Sequence, residues 1–309
     1  MNDMKTFYIE HPNLRIEEAV KIIWKDNENK KNIWWQGQWL THGELLPLIE
    51  FYKQKFANCG FTEGQRIAIL LPNCPSFIAI MFATWELGGA ICPLNARAGV
   101  AQLVDTIKKL DVAFVITTEE NAAKAGELAQ RIPIVPVPLF GQTETEWQSR
   151  IGTPESRDIA VIFSTSGTSG LPKAVPLTHS NIIANGAGQV LHFDDFFAND
   201  NIFLFILPNF HTYGLNIGCI IPFLYGIPTV VVPNFVPVTN TIKALQESGA
   251  NFLIVVPTIL AFIVSAVLSL SPPAIMKFMP ESFKLAFSSA LTIKAKIVGT
   301  TIRKFAPLS

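Results

Sequence analysis

Asp158-Ile159-Ala160-Val161-Ile162-Phe163 is an apolar strand signal that runs directly into Ser164-Thr165-Ser166-Gly167-Thr168-Ser169-Gly170-Leu171-Pro172-Lys173. The second stretch carries five hydroxyl side chains and two glycines. Small residues let neighbouring backbone N–H groups point into one concavity, hydroxyls add donors, and Lys173 brings a positive charge, so the composition suits the oxygens of a polyphosphate. It is not the Walker pattern, because Pro172 precedes the lysine and Ala174 follows it. Nor does it have dinucleotide-fingerprint spacing. On composition alone, a surface linker of Ser, Thr and Gly is an equal alternative.

Outward from this stretch the chain alternates helix and strand signals, the pattern of an α/β protein with doubly wound sheets. Upstream, Thr41 and Glu44 have capping-box spacing, apolar residues follow at Leu45, Leu48, Ile49, Tyr52 and Phe56, and Gly60 stands at a C-terminal cap. Strands are expected at Arg66 to Leu71, Ala90 to Cys92, Ala113 to Thr117 and Ile134 to Val137. Helices are expected from Ser76 to Leu87, Val100 to Leu110 and Glu119 to Arg131. The polar stretch Gly141 to Arg157 lacks apolar periodicity and divides the chain into two α/β units, 1–155 and 156–309. Downstream, a helix is expected from Thr178 to Leu191, and strands at Ile202 to Leu207, Thr229 to Val232, Phe252 to Val256 and Lys284 to Phe287.

The bulk numbers exclude several classes. Lysine plus arginine equals aspartate plus glutamate at 24 each, so no net charge draws the protein to nucleic acid. Cys59, Cys74, Cys92 and Cys219 are too scattered for a zinc site or a disulfide framework. Met1 to Pro12 holds no signal-peptide core, and a reducing, cytoplasmic setting is expected. Mean hydropathy is high at +0.33. The uncharged runs Phe252 to Leu270 and Tyr213 to Pro233 approach membrane-spanning length, but prolines and glycines cut both. They read as buried strands and helices, since the interior strands of parallel sheets are apolar on both faces.

The order of residues from Ser164 to Lys173 resembles the signature loop of the adenylate-forming superfamily, which includes acyl-CoA synthetases, peptide-synthetase adenylation domains and luciferases. Only Ala174, just beyond, stands where a glycine is usual. Pro208-Asn209-Phe210-His211-Thr212-Tyr213-Gly214 resembles the motif that opens the family's acyl-binding side. That makes His211, Tyr213 and Gly214 an expected substrate wall, with no proton transfer assigned to His211. Phe287-Ser288-Ser289-Ala290-Leu291 is similar to the turn lining the adenine and acyl pocket, with Ser288 and Ser289 in place of paired glycines and Leu291 in place of a proline. Leu71-Pro72-Asn73, Leu87-Gly88-Gly89-Ala90 and Pro93-Leu94-Asn95 resemble the first subdomain more loosely, in packing roles.

The resemblance implies the front part of an acid–thiol ligase. A carboxylate attacks the α-phosphate of ATP, pyrophosphate leaves, and the acyl group passes to coenzyme A. Ser164, Thr165, Ser166, Gly167, Thr168, Ser169, Gly170 and Lys173 would hold the departing phosphates, with Mg2+ screening their oxygens. Ser288, Ser289, Ala290 and Leu291 would line the adenine and acyl pocket. The family's magnesium-binding glutamate, ribose-gripping aspartate and catalytic lysine are expected beyond Ser309, so no catalytic residue is assigned within the chain. Lys294, Lys296 and Arg303 read as solvated helix charges.

The apolar run after His211 suits a medium or long fatty acid, with an aryl or succinylbenzoate-type acid as the alternative. A truncated relative that binds without turnover, and a membrane-associated protein, are the other open readings. A small-molecule acid and ATP are the expected partners, with peripheral membrane contact and oligomeric state left open.

Overall fold

The computed structural model describes residues 7, 8, 10, 11, 13–124, 134–142, 158–166, 172–192, 200–268, 284–287, 292 and 293. Among these residues the strands form two mainly parallel sheets within a mixed α/β architecture, as the alternating pattern predicts. The first sheet contains β3 (Arg66–Leu70), β4 (Ala90–Pro93), β5 (Phe114–Thr117), β6 (Ile134–Pro136), β7 (Ile159–Ser166) and β8 (Pro172–Thr178). Its order is β6-β5-β3-β4-β7-β8, parallel except for β8 at the edge.

The second sheet contains β1 (Lys31–Trp35), β2 (Gln38–Thr41), β9 (Phe203–Phe205), β10 (Thr229–Val231), β11 (Phe252–Val255), β12 (Lys284–Phe287) and β13 (Thr292–Ile293). Its order is β13-β12-β11-β9-β10-β1-β2, with the antiparallel strands β13 and β2 at the two edges. The sheets therefore do not follow a division of the chain at 155/156. The hairpin β1–β2 joins the later strands through the parallel pair Ile33↔Thr229, and β7–β8 joins the earlier ones through Ile91↔Val161.

Local chemistry accounts for the helices. Helix α1 spans Ile16–Trp24. Helix α2 spans His42–Asn58, where the Thr41 Oγ1 accepts from the Glu44 amide at 3.2 Å and the Glu44 carboxylate accepts from the Thr41 amide at 2.7 Å. That reciprocal box satisfies two amides that the first helical turn leaves open. The chain leaves α2 through Gly60 at φ +77°, a left-handed conformation that glycine adopts without strain.

Helix α3 (Pro75–Glu86) is buried on every side from Pro75 to Trp85, as an apolar helix without a polar face must be. Its Trp85 Nε1 donates to the Ala160 carbonyl of β7 at 2.8 Å, and Phe82 meets Phe223 at 5.3 Å. One apolar cluster thus unites Ile67, Ile69 and Phe77 with Ile33, Phe205 and Val231, so the two sheets share a core.

Helix α4 is Val100–Leu110, and α5 is Glu119–Lys124; the remainder of the helix expected to Arg131 lies outside the described residues. The uncharged run from Phe252 divides at Pro257 into β11 and a helix, Pro257–Leu268. Among the described residues no helix is long and apolar enough to cross a membrane. The stretch with Lys294, Lys296 and Arg303 lies outside the described residues.

Candidate active site

Strand β7 is buried from Ala160 to Phe163, then Ser164 is half-buried and Thr165 exposed. The change from aliphatic to hydroxyl side chains marks where the strand emerges from the core. Antiparallel pairing with β8 runs through Phe163↔Val175, Ser164↔Ala174, Thr165↔Lys173 and Ser166↔Pro172. The Thr165 hydroxyl donates across the ladder to the Lys173 carbonyl at 3.4 Å, and the Lys173 side chain is exposed.

The sequence reading of Ser164 to Lys173 as one loop is therefore corrected at its two ends, while the helix expected from Thr178 to Leu191 is present. Ser164, Thr165, Ser166 and Lys173 are strand residues of a β-hairpin. The helix α6 (His179–His192) begins only after β8 ends, capped by mutual bonds of 3.1 Å between Thr178 and Asn181. Gly167, Thr168, Ser169 and Gly170 lie outside the described residues.

The second expected segment follows β9. Pro208 has no N–H to give, and its carbonyl instead accepts from the His211 amide at 3.1 Å, while the His211 carbonyl accepts from the Leu215 amide at 2.9 Å. The turn opens into a wide π-helix, Tyr213–Ile220, in which the Ile221 amide reaches back five residues to the Asn216 carbonyl. The helix α7 (Ile221–Leu224) continues it.

Two glycines permit this packing. A Cβ at Gly214 would lie 2.3 Å from the Pro208 carbonyl oxygen, and one at Gly218 would lie 2.9 Å from the Phe205 ring. His211 is exposed, with its ring 4.7 Å from that of Phe210. Tyr213 is half-buried, and burial pushes its phenol up to about 12, so it stays a neutral donor at physiological pH. Asn216 is buried, and its Nδ2 donates to the Asn185 Oδ1 of α6 at 2.8 Å.

The turns beyond the carboxyl ends of the two sheets meet. Asn73, after β3, donates through Nδ2 to the carbonyls of Leu207 (3.0 Å) and Val232 (3.3 Å), which follow β9 and β10. Its Oδ1 accepts from the Asn209 amide at 3.1 Å, and the Asn209 Nδ2 donates to the Leu71 carbonyl at 2.9 Å. Further out, Arg97 Nη2, after β4, donates to the Asn234 Oδ1 at 2.8 Å. In sheets of this kind ligands bind outside the carboxyl ends of the strands. Strand β7 runs parallel to β4, so the Ser164–Ser166 end of the hairpin lies on the same edge of its sheet as these turns.

The sequence reading treated Asn73 as packing and assigned Asn209 no role. The signal that could have found them is the Pro-Asn dipeptide that follows both β3 and β9. Ser288, Ser289, Ala290 and Leu291 lie outside the described residues, directly after Phe287, which pairs with Val255.

A family profile described as AMP-binding enzyme matches residues 21–304. Feruloyl-CoA synthase of Amycolatopsis sp is 28% identical over 224 residues, covering 72% of this chain and 44% of that protein. A 2-succinylbenzoate–CoA ligase of Oceanobacillus iheyensis is 30% identical over 205 residues, covering 64% of this chain and 40% of that protein. The mitochondrial malonate–CoA ligase of Mus musculus is 31% identical over 182 residues, 57% and 31% of the respective chains. The chain thus spans less than half the length of these curated relatives. In fold, it is similar to the O-succinylbenzoate coenzyme A synthetase of Bacillus subtilis in complex with AMP, at a TM-score of 0.69 and 20% identity, covering 83% of this chain and 65% of that one.

Proposed function

Because this chain belongs to the AMP-binding enzyme family, with acid–CoA ligases among its relatives, we propose that it supplies the phosphate-holding and acid-holding parts of an adenylate-forming ligase. The reaction is attack of a carboxylate oxygen on the α-phosphate of ATP, loss of pyrophosphate, and transfer of the acyl group to the thiol of coenzyme A. The observation that carries this reading is the hairpin β7–β8, which leaves the apolar core at Ser164 and brings hydroxyls and the Lys173 ammonium to the carboxyl edge of a parallel sheet.

Ser164, Thr165, Ser166, Gly167, Thr168, Ser169, Gly170 and Lys173 are assigned to the β- and γ-phosphates. Their donors hold the departing pyrophosphate in place, and an aligned, charge-neutralised leaving group is most of what such a transfer requires. Mg2+ accompanies ATP and supplies further charge neutralisation. His211, Tyr213 and Gly214 are assigned to the wall that receives the acid. Ser288, Ser289, Ala290 and Leu291 are assigned to the adenine and acyl side.

The acid itself is read from two supports. The relatives are named for ferulate, malonate and 2-succinylbenzoate. The run after His211, which by hydropathy suits a fatty tail, contains a buried amide, Asn216, whose Oδ1 has no hydrogen-bond partner among the described residues. Buried polar groups disfavour a purely aliphatic partner that leaves them unpaired. An aromatic or short polar acid is therefore favoured over the fatty acid expected from hydropathy.

Titration calorimetry with ATP and Mg2+ tests the phosphate site: saturable, Mg2+-dependent binding is expected, and its absence removes the reading. Exchange of label between pyrophosphate and ATP, run with ferulate, malonate, 2-succinylbenzoate and a medium-chain fatty acid, then separates turnover from binding alone. Stimulation by the fatty acid alone would reverse the preference among acids.

A further inference from the structure

Resting on the ligase reading above, we infer that Asn73 is a positioning residue that sets the acid-holding turn from the opposite sheet. An asparagine amide offers two N–H donors and one carbonyl acceptor. Asn73 is 1% exposed and directs Nδ2 to Leu207 and Val232 and Oδ1 to the Asn209 amide, all on turns of the second sheet. Those backbone groups lie past the ends of β9 and β10, beyond the residues at which either strand is paired with a described neighbour. A single side chain therefore satisfies them.

The placement passes along the chain by short links. Leu207 and Asn209 flank Pro208, the Pro208 carbonyl accepts from the His211 amide at 3.1 Å, and Gly214 is pressed against that same carbonyl. His211 and Tyr213 thus take their positions from Pro208, and Pro208 takes its position from Asn73. Asn209 returns the contact through its bond to Leu71, so the two turns hold each other. Asn73 acts only through this relay.

The test compares the whole chain with Asn73→Ala by hydrogen–deuterium exchange and by NMR of the histidine ring signals, with the His211 signal assigned from His211→Gln. Exchange across 207–215 is expected to rise at least tenfold, with 66–70 and 159–163 unchanged. The His211 signal is expected to shift while those of His42 and His179 stay in place. Uniform acceleration along the chain, or none in 207–215, overturns the inference, because a residue of general structural importance gives the first and an idle one gives the second. If Asn73→Ala does not fold, Asn209→Ala is the second variant; it removes only the bond to Leu71, and a smaller rise confined to 71–74 and 207–215 is expected. ATP–Mg2+ titration of the unaltered chain judges the ligase reading separately. Failure to bind nucleotide there leaves the relay from Asn73 intact and removes only its link to ligation.

Discussion

Gly214 faces the carbonyl oxygen of Pro208 so closely that a Cβ would stand 2.3 Å from it. The obstacle is backbone, which cannot swing aside as a long side chain would. Gly214→Ala must therefore push the π-helix off the turn that precedes it. The expected cost is about 1–3 kcal/mol, as for other overpacked sites. Gly188→Ala, on α6 where a Cβ meets nothing within 4 Å, should instead gain roughly 0.5–1 kcal/mol by removing a helical glycine. Urea denaturation of the two variants reads both signs.

His42 links stability to acid. Its ring stacks on Trp24 at 5.1 Å and accepts at Nδ1 from the Asn32 amide at 3.3 Å, and burial lowers its pKa from 6.5 to about 4. The unfolded chain binds the proton more readily, so stability is fully present above pH 6.5 and is lost as pH falls toward 4. The loss is about 3 kcal/mol by linkage. Denaturation midpoints measured across this window should fall less steeply for His42→Gln than for the unaltered chain.

Lys173 is exposed on the edge strand β8, so its removal should leave folding intact. The contact at stake is the charge-assisted bond to phosphate proposed for it. Lys173→Ala is expected to weaken ATP–Mg2+ binding roughly tenfold, about 1.4 kcal/mol. The urea midpoint should not move. Unaltered affinity would place the phosphates elsewhere.

The thiols should separate into two classes. Cys74 and Cys92 are buried, and desolvation pushes each up to about 12; Cys219 is buried and raised further, while Cys59 is only partly covered. An aromatic disulfide reagent at pH 8 should therefore modify Cys59 in the native protein and reach the other three only after unfolding. Rapid native reaction of a second thiol would contradict this packing.

How far the sequence was legible depended on how local the cause was. The Thr41–Glu44 box and the Gly60 exit define α2 within a single helix, and both were read correctly. Pro257 likewise divided β11 from the helix after it. Strand β8 was missed because Pro172 and Pro176 argue against a strand, yet prolines are tolerated at a sheet edge, where β8 lies. The β1–β2 hairpin turns at Gln36 and Gly37, both with positive φ, through a pair less recognisable than Asn-Gly. Sheet membership depends on partners far along the chain, which periodicity does not encode. At the site, the hydroxyl run and the His211 segment were visible as composition and order. The bonds between Asn73 and Asn209 were not, since 136 positions separate the two residues.

Strand β1 pairs with β10, so Ile33 finds Thr229 only after the whole intervening polypeptide has been made. At the usual pace of about 5–20 residues per second, the ribosome needs roughly 10–40 s to deliver that partner. Throughout this interval the newborn hairpin, with its tryptophans Trp34, Trp35 and Trp39, presents an unpaired edge to the cell. Such a nascent chain is a natural client for chaperones, and a message that stalls between these two strands would leave a product prone to clumping.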